Sequence, residues 1–306
     1  MQEPKIELGE RRDIGGVIAT YFEFFKQHLK SFLNIFISYN GVFIIGFIGV
    51  SYLMVTGFAG SMRTGEEGGM SEFTSDLLVG LGVIGFLGLL VLTTVLNFSL
   101  AASYLVEYDK NGNTAPEKKA VWRLSWNNIG RVLLFILLLI LIYIPVLLLS
   151  FLVGLVPFVG FFGQLFMGFA FSCWMGVSFT CMFNENRDVT EALGEGWRLV
   201  SRYFWKSVLV NLVISLLLWV LLMVVLMIPG FLIGVYVFHA TENAIDLAES
   251  PVATVIWTLS LTLFLLLYVY MQSLLQMGNG ILYFSLREET YNINTRKRID
   301  QIGLHE

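Results

Sequence analysis

Six long apolar stretches punctuate the chain, at 32 to 59, 77 to 106, 132 to 154, 159 to 183, 207 to 239 and 253 to 284. Each exceeds the roughly 20 residues that a helix needs to cross about 30 Å of hydrocarbon, so each predicts a transmembrane helix. The fifth contains Pro229 followed by Gly230. The missing amide and the flexible glycine predict a kink or break there, with a straight helix only as far as Ile228. Only Leu155 to Phe158 separates the third and fourth stretches, which predicts a tight antiparallel hairpin with no domain outside the membrane. No other interval is long enough for a soluble catalytic domain.

Before the first, third and fifth stretches the pattern becomes amphipathic with helical period. In the third such segment Val189, Ala192, Leu193, Trp197, Val200 and Phe204 share one face, and Glu191, Glu195, Arg198 and Arg202 form the opposite polar stripe. Asp188 and Glu191 predict a capping box at its start. In the first segment Ile14, Val17, Ile18, Tyr21, Phe22, Phe25 and Leu29 make the stripe, with Asp13 as the predicted cap. In the second, Thr114 and Glu117 predict the cap, and Trp122, Trp126, Ile129 and Leu133 face one way. Phe22, Trp122 and Trp197 occupy equivalent places, each followed at a similar distance by a basic residue, Lys30, Arg131 or Lys206.

The predicted fold is therefore all-α: a polytopic membrane protein of six transmembrane helices, arranged as three hairpin repeats, each preceded by a cytoplasmic amphipathic helix. The repeats run 12 to 107, 113 to 183 and 187 to 286 within a single membrane domain, followed by a cytoplasmic tail at 287 to 306, and a pseudo-threefold axis would lie normal to the membrane. Four of the seven tryptophans, Trp122, Trp126, Trp197 and Trp205, fall in the short segments. Two readings of those segments stand. They are interfacial helices whose aromatic and basic residues, Phe22, Lys30, Trp122, Trp126, Arg131, Trp197, Trp205 and Lys206, contact lipid headgroups, or they are elbows that only orient the hairpins.

Composition agrees with a membrane location: 56% hydrophobic and 14% charged residues with a mean hydropathy of +0.74 are more apolar surface than one globular core hides. The polar start through Asp13 has no apolar signal region, so the first span is expected to act as its own signal. Net charge is only -4 and no basic stripe appears, which removes nucleic acid from the expected partners. The basic residues are nevertheless lopsided. Lys5, Arg11, Arg12, Lys26 and Lys30 precede the first span, and Lys110, Lys118, Lys119, Arg123 and Arg131 lie between the second and third. Arg187, Arg198, Arg202 and Lys206 lie between the fourth and fifth, and Arg287, Arg296, Lys297 and Arg298 follow the sixth. Only Arg63 falls on the opposite side, among Glu66, Glu67, Glu72, Asp76, Glu242, Asp246 and Glu249. The distribution predicts both termini in the cytoplasm.

No Asp, Glu, Lys or Arg stands well inside a predicted span, and Glu107 is only at a helix end. Proton relays and ion pathways usually need such charges, so a proton-coupled pump is not expected. The polar residues that do occur are Asn40, Asn97, Gln164, Asn211, His239, Gln272, Gln276 and Asn279. They are expected to hydrogen-bond across helices. Gln272, Gln276 and Asn279 share one face by their spacing and form the candidate intramembrane polar seam or small cavity. Cys173 and Cys181 lie about 12 Å apart along one helix, too far for a disulfide, and are expected to be inert buried thiols. His28, His239 and His305 are scattered, so no histidine-based metal site or triad is expected, and no cofactor is implied. Gly80, Gly82 and Gly85 fit G-x-G-x-x-G but sit in an apolar span, where small residues serve helix packing; Gly230 and Gly234 offer a second such contact. Asn97-Phe98-Ser99 matches a glycosylation sequon yet lies within the second span.

Arg187-Asp188-Val189, leading to Glu191-Ala192-Leu193 and Trp197 within the threefold plan, resembles the membrane domain that accompanies some glycerophosphodiester phosphodiesterases. The ending Tyr283-Phe284-Ser285-Leu286-Arg287-Glu288, with Ile299-Asp300-Gln301-Ile302-Gly303, is similar to the tail of polytopic inner-membrane proteins of Bacteroidota. The sequence contains no phosphodiesterase domain, so that activity does not come with the resemblance. What the resemblance implies is a bacterial inner (cytoplasmic) membrane location and work beside other membrane components. The expected function is a non-enzymatic integral membrane subunit or scaffold, with membrane lipids and other integral membrane proteins as partners. The rival expectation is a passive transporter or lipid-handling protein with a path past Gln272, Gln276 and Asn279.

Overall fold

The computed structural model describes residues 5–63, 71–296 and 299. Glu66, Glu67, Lys297, Arg298, the segment 300–303 and His305 lie outside the described residues. Among those described, the chain forms eight α-helices and no strand: α1 (Ile14–Met62), α2 (Glu72–Lys110), α3 (Lys118–Asn127), α4 (Ile129–Gly154), α5 (Val159–Glu185), α6 (Val189–Arg202), α7 (Phe204–Glu242) and α8 (Pro251–Tyr291). Six of them, all but α3 and α6, are long and apolar enough to cross a membrane. The chain is a polytopic, all-helical membrane protein.

The first amphipathic segment and the first apolar stretch form one unbroken helix of 49 residues, about 74 Å long at 1.5 Å per residue. The second and third segments are separate helices. The α3–α4 break falls at Asn128 (φ -98°, ψ 4°), whose side-chain amide donates to Leu124 O at 2.9 Å and so offers the backbone a local alternative to the helix. The α6–α7 break falls at Tyr203 (φ -120°, ψ 46°).

Of the kink or break expected at Pro229, no break occurs: α7 continues through it to Glu242. Proline removes a single bond, the one to the Val225 carbonyl, and a long apolar helix accommodates that loss where its other backbone bonds have no competing water. The predicted side-chain caps of α3 and α6 are absent as well. Glu117 and Asp188 hold the cap positions in extended backbone but make no side-chain cap bond, and Thr114 Oγ1 instead donates to Asn111 O. Asp188 is exposed, so solvent competes for both its carboxylate and the free amides. Asp13 does cap α1: its Oδ1 accepts the Gly16 N–H at 2.7 Å.

By its contacts the chain divides into two compact units, with the divisions falling inside α1, α2, α7 and α8. One unit comprises Met1–Ile35, Phe98–Leu217 and Ser273–Glu306. Its core includes Phe24, whose ring meets Tyr104 and Tyr108 edge-on at 6.1 and 5.0 Å. Tyr108 also holds the N-terminal segment, donating to Ile6 O at 3.1 Å and accepting Ile6 N–H at 3.2 Å. Asn294 Nδ2 donates to Gly9 O at 2.8 Å. Within α4 and α5, Gln164 Nε2 donates to Ser150 O at 2.9 Å, and a Cβ on Gly160 would lie 2.5 Å from Val153 O.

The other unit comprises Phe36–Asn97 and Leu218–Gln272. Phe36, Phe47, Leu265 and Val269 form its buried apolar cluster. Asn40 and Asn97 exchange two amide hydrogen bonds of 2.8 and 3.1 Å, which also explains why the sequon asparagine is buried. Added Cβ atoms at Gly82 and Gly85 would meet Met54 and Val50 at 2.6 and 3.1 Å, so both act in helix packing. Gly80, Gly230 and Gly234 have nothing within 4 Å, and the contact expected of Gly230 and Gly234 is absent among the described residues.

Candidate functional site

Of the polar seam, Gln276 and Asn279 lie in the first unit and are brought together with α5 and α7. Gln276 Nε2 lies within hydrogen-bonding distance of Gly176 O (3.1 Å) and Thr180 Oγ1 (3.2 Å). Asn279 Oδ1 accepts from Asn211 Nδ2 at 2.7 Å. A Cβ on Gly176 would stand 2.4 Å from the Asn279 amide, so glycine is what lets the α5 backbone come this close to α8. All three amide side chains are buried, and Gln276 Oε1 and Asn211 Oδ1 have no partner among the described residues. Gln272, one turn earlier on α8, is half-buried. Asn211 was visible in sequence only as an isolated polar residue; its pairing with Asn279 spans 68 positions and leaves no local signal.

Several aromatic residues of the amphipathic segments are exposed, although Tyr21 and Phe24 are buried. Phe22, Trp126, Trp197 and Trp205 are 42%, 60%, 59% and 64% exposed. Trp122 is half-buried and stacks on Trp126 at 5.7 Å and 19°. Each stripe is split between buried and exposed positions: in the third, Val189, Ala192, Leu193 and Val200 are buried while Trp197 and Phe204 are exposed. In the first, Val17, Thr20, Tyr21 and Phe24 are buried, while Phe22 and Leu29 are exposed. In the second, Val121 and Ser125 are buried, and the Ser125 hydroxyl donates to Ser103 Oγ of α2 at 2.9 Å. In the third, Ala192, Glu195, Gly196 and Leu199 point inward.

Glu195, expected on the polar stripe, has a side chain only 7% exposed. Gly196 is the cause: a Cβ there would lie 2.0 Å from Ser178 Oγ and 2.9 Å from Ser178 Cα, so α6 rests on α5 through its glycine and carries Glu195 inward. Burial of the carboxylate is compensated by the Tyr291 hydroxyl, which donates to Oε1 at 2.6 Å, and by Arg187 and Arg198 at 3.9 and 3.8 Å from Oε2.

The basic residues expected at headgroups divide. Lys30 is exposed. Arg131 donates to Asn128 Oδ1 at 3.4 Å and to Asn186 Oδ1. Lys206 Nζ is 2.6 Å from Glu289 Oε2 and 3.3 Å from Ser285 Oγ. The latter two are thus engaged by protein groups.

A second cluster, formed where α5 ends and α8 ends, centres on Glu185. Its Oε1 accepts from the Tyr283 hydroxyl at 2.8 Å and lies 2.9 Å from Arg287 Nε, while Oε2 pairs with Arg187 Nε. Two guanidinium groups thus share one carboxylate. Beside them a pocket of about 470 Å³ is lined by Glu185, Arg187, Arg287, Thr290, Tyr291 and Arg296, among others. The turn after α8 is fixed by Glu288, whose carboxylate accepts the N–H groups of Asn294 and Thr295 (2.8 and 3.0 Å) and the Thr295 hydroxyl (2.9 Å). Burial acts to raise the Glu288 pKa, but these hydrogen bonds outweigh it and hold the group below its usual value. In sequence these arginines counted only as cytoplasmic-side charges, because Arg187 and Arg287 are a hundred positions apart.

Among the described residues no three His, Cys, Asp or Glu side chains are grouped to hold a metal ion. No protein-family model, curated protein or solved structure matches the chain.

Proposed function

We propose that this protein is a non-enzymatic integral membrane scaffold, a subunit around which other membrane proteins assemble. The observation that carries the reading is the use made of the intramembrane amides: Gln276 and Asn279 bond to α5 and α7 across the Gly176 contact, so polarity fastens helices together. Long apolar faces support it too. On α4, Leu133, Leu137, Ile140, Leu141, Ile144 and Leu148 are exposed and available to lipid or to a neighbouring helix.

The further attributes belong to the same proposal. The lysine and arginine bias favours both termini on the cytoplasmic side, and the resemblance to phosphodiesterase-associated membrane domains and to Bacteroidota proteins favours a bacterial inner membrane. The outward aromatic residues Phe22, Trp126, Trp197 and Trp205 suit headgroup contact at that face. The three segments that precede membrane helices favour the threefold repeat of 12 to 107, 113 to 183 and 187 to 286.

The test is native-detergent purification of the tagged protein, with mass spectrometry of co-purifying proteins and lipids. Stoichiometric membrane-protein partners are expected. Transport or turnover of a substrate by the protein alone in liposomes would sink the proposal.

A second reading, passive lipid handling, is favoured by an apolar pocket of about 320 Å³ lined by Val55, Phe58, Ala59, Met62, Thr254 and Trp257, among others. The unpaired Gln276 and Asn211 oxygens favour it as well. One reproducible lipid and no protein partner in the same purification would select it.

A further inference from the structure

We infer that the pocket at the end of α8 binds a phosphate-bearing anion, held by Arg187, Arg287 and Arg296 with Thr290. Its walls carry three arginines against one carboxylate, Glu185, which leaves an excess of positive charge around an open volume of about 470 Å³. That size falls in the range of small-molecule sites, about 300 to 1,000 Å³. Including the adjacent Glu195 and Arg198 does not cancel the excess: four arginines then face two carboxylates.

Two residues of the wall also carry a buried polar atom that lacks a hydrogen-bond partner. Arg287 Nε is close enough to Glu185 Oε1 to form an ion pair, at 2.9 Å, but is not aligned to donate to it. The buried Thr290 hydroxyl has no partner among the described residues. Buried donors are ordinarily satisfied, and guanidinium groups match the paired oxygens of a phosphate with two parallel N–H bonds. Of the neighbouring acids, Glu195 lies 3.9 Å from Arg187, a weaker contact than the one Arg187 makes with Glu185. Glu195 accepts from Tyr291, and Glu288 accepts from Asn294 and Thr295.

Arg287 lies three residues beyond the apolar stretch that ends at 284, about 4.5 Å along the helix, which is headgroup depth. The phosphate could therefore arrive on an anionic lipid or on a soluble ester. The assignment stands apart from the scaffold proposal: it is read by bound anion, whereas the scaffold is read by bound protein.

The experiment uses the full chain, purified in detergent and delipidated. Native mass spectrometry measures retention of phosphatidylglycerol against phosphatidylcholine, and titration calorimetry measures binding of inorganic phosphate. Preferential retention of phosphatidylglycerol, or saturable phosphate binding, is expected. Lipid that phosphate displaces identifies the phosphate group itself as the ligand; lipid that phosphate leaves in place identifies the lipid headgroup. R296Q is expected to weaken binding about fivefold, the effect of one basic group near a membrane surface. The melting temperature of this variant, measured beside binding, separates loss of the ligand from loss of the fold. R287Q and T290V are expected to weaken binding as well, while R202Q, an exposed arginine outside the pocket, leaves it unchanged. Absence of binding in the wild type overturns the assignment, as does equal loss in R202Q and R296Q, or unchanged binding in R296Q and R287Q.

Discussion

Replacing Gly196 with alanine is expected to push α6 off α5, whereas the same change two residues earlier, at Gly194, is expected to stabilise the protein. Alanine favours a helix interior by about 1 kcal/mol over glycine, and at Gly194 nothing lies within 4 Å of the new methyl, so the gain is realised. At Gly196 the methyl would meet Ser178 Oγ at 2.0 Å and Ser178 Cα at 2.9 Å. The hydroxyl can rotate away; the backbone carbon cannot. Overpacking of this kind costs about 1 to 3 kcal/mol, enough to cancel the helix gain and reverse its sign. Withdrawal of α6 would also lengthen the 2.9 Å bond from Trp174 Nε1 to Leu193 O and the 2.6 Å bond from Tyr291 to Glu195. The assay is the melting temperature of each variant in one detergent, with near-ultraviolet circular dichroism to follow Trp174. A rise for Gly194→Ala with a fall and a weakened aromatic signal for Gly196→Ala is expected. If Gly196→Ala melts with or above the wild type, the close α5–α6 contact is wrong, and with it the explanation for the burial of Glu195.

Asn211→Ala removes the partner of Asn279 and should lower stability by about 0.5 to 2 kcal/mol, the range of hydrogen bonds between membrane helices. Asn40→Ala breaks a reciprocal pair and should cost more; equal losses would undermine the two-bond geometry. Glu288, held below its ordinary value of 4.5, stabilises the turn at 292 to 295 fully above that pH and loses the contribution as pH falls through the depressed value. Hydrogen exchange at Asn294 and Thr295 should therefore accelerate in acid and in Glu288→Gln at neutral pH, and unchanged protection in both would refute the assignment. Cys173 and Cys181, both buried and free, should resist maleimide in the folded protein and react after denaturation in sodium dodecyl sulfate; rapid labelling before denaturation would contradict their burial.

Membrane helices were legible in the sequence because hydropathy over some twenty residues is a local sum, and each expected span lies within an observed helix. The Asp13 cap was legible for the same reason, since donor and acceptor are three residues apart. Harder to read was which face of each amphipathic segment packs inward: Trp126, Trp197 and Trp205 are exposed while Val121, Ala192 and Leu199 are buried. The inward face is then chosen by how closely backbones can approach, and the marks of that choice are small residues: Ser125 against Ser103, Gly196 against Ser178, Gly176 against Asn279. Reading the segments for glycine and serine instead of aromatics would have placed Glu195 inside. The arginine pocket had no comparable signal. A tally by loops treats Arg187, Arg287 and Arg296 as interchangeable surface charges, although the fold makes the first two share Glu185. That sharing, between residues a hundred positions apart, gathers a general positive bias around one carboxylate.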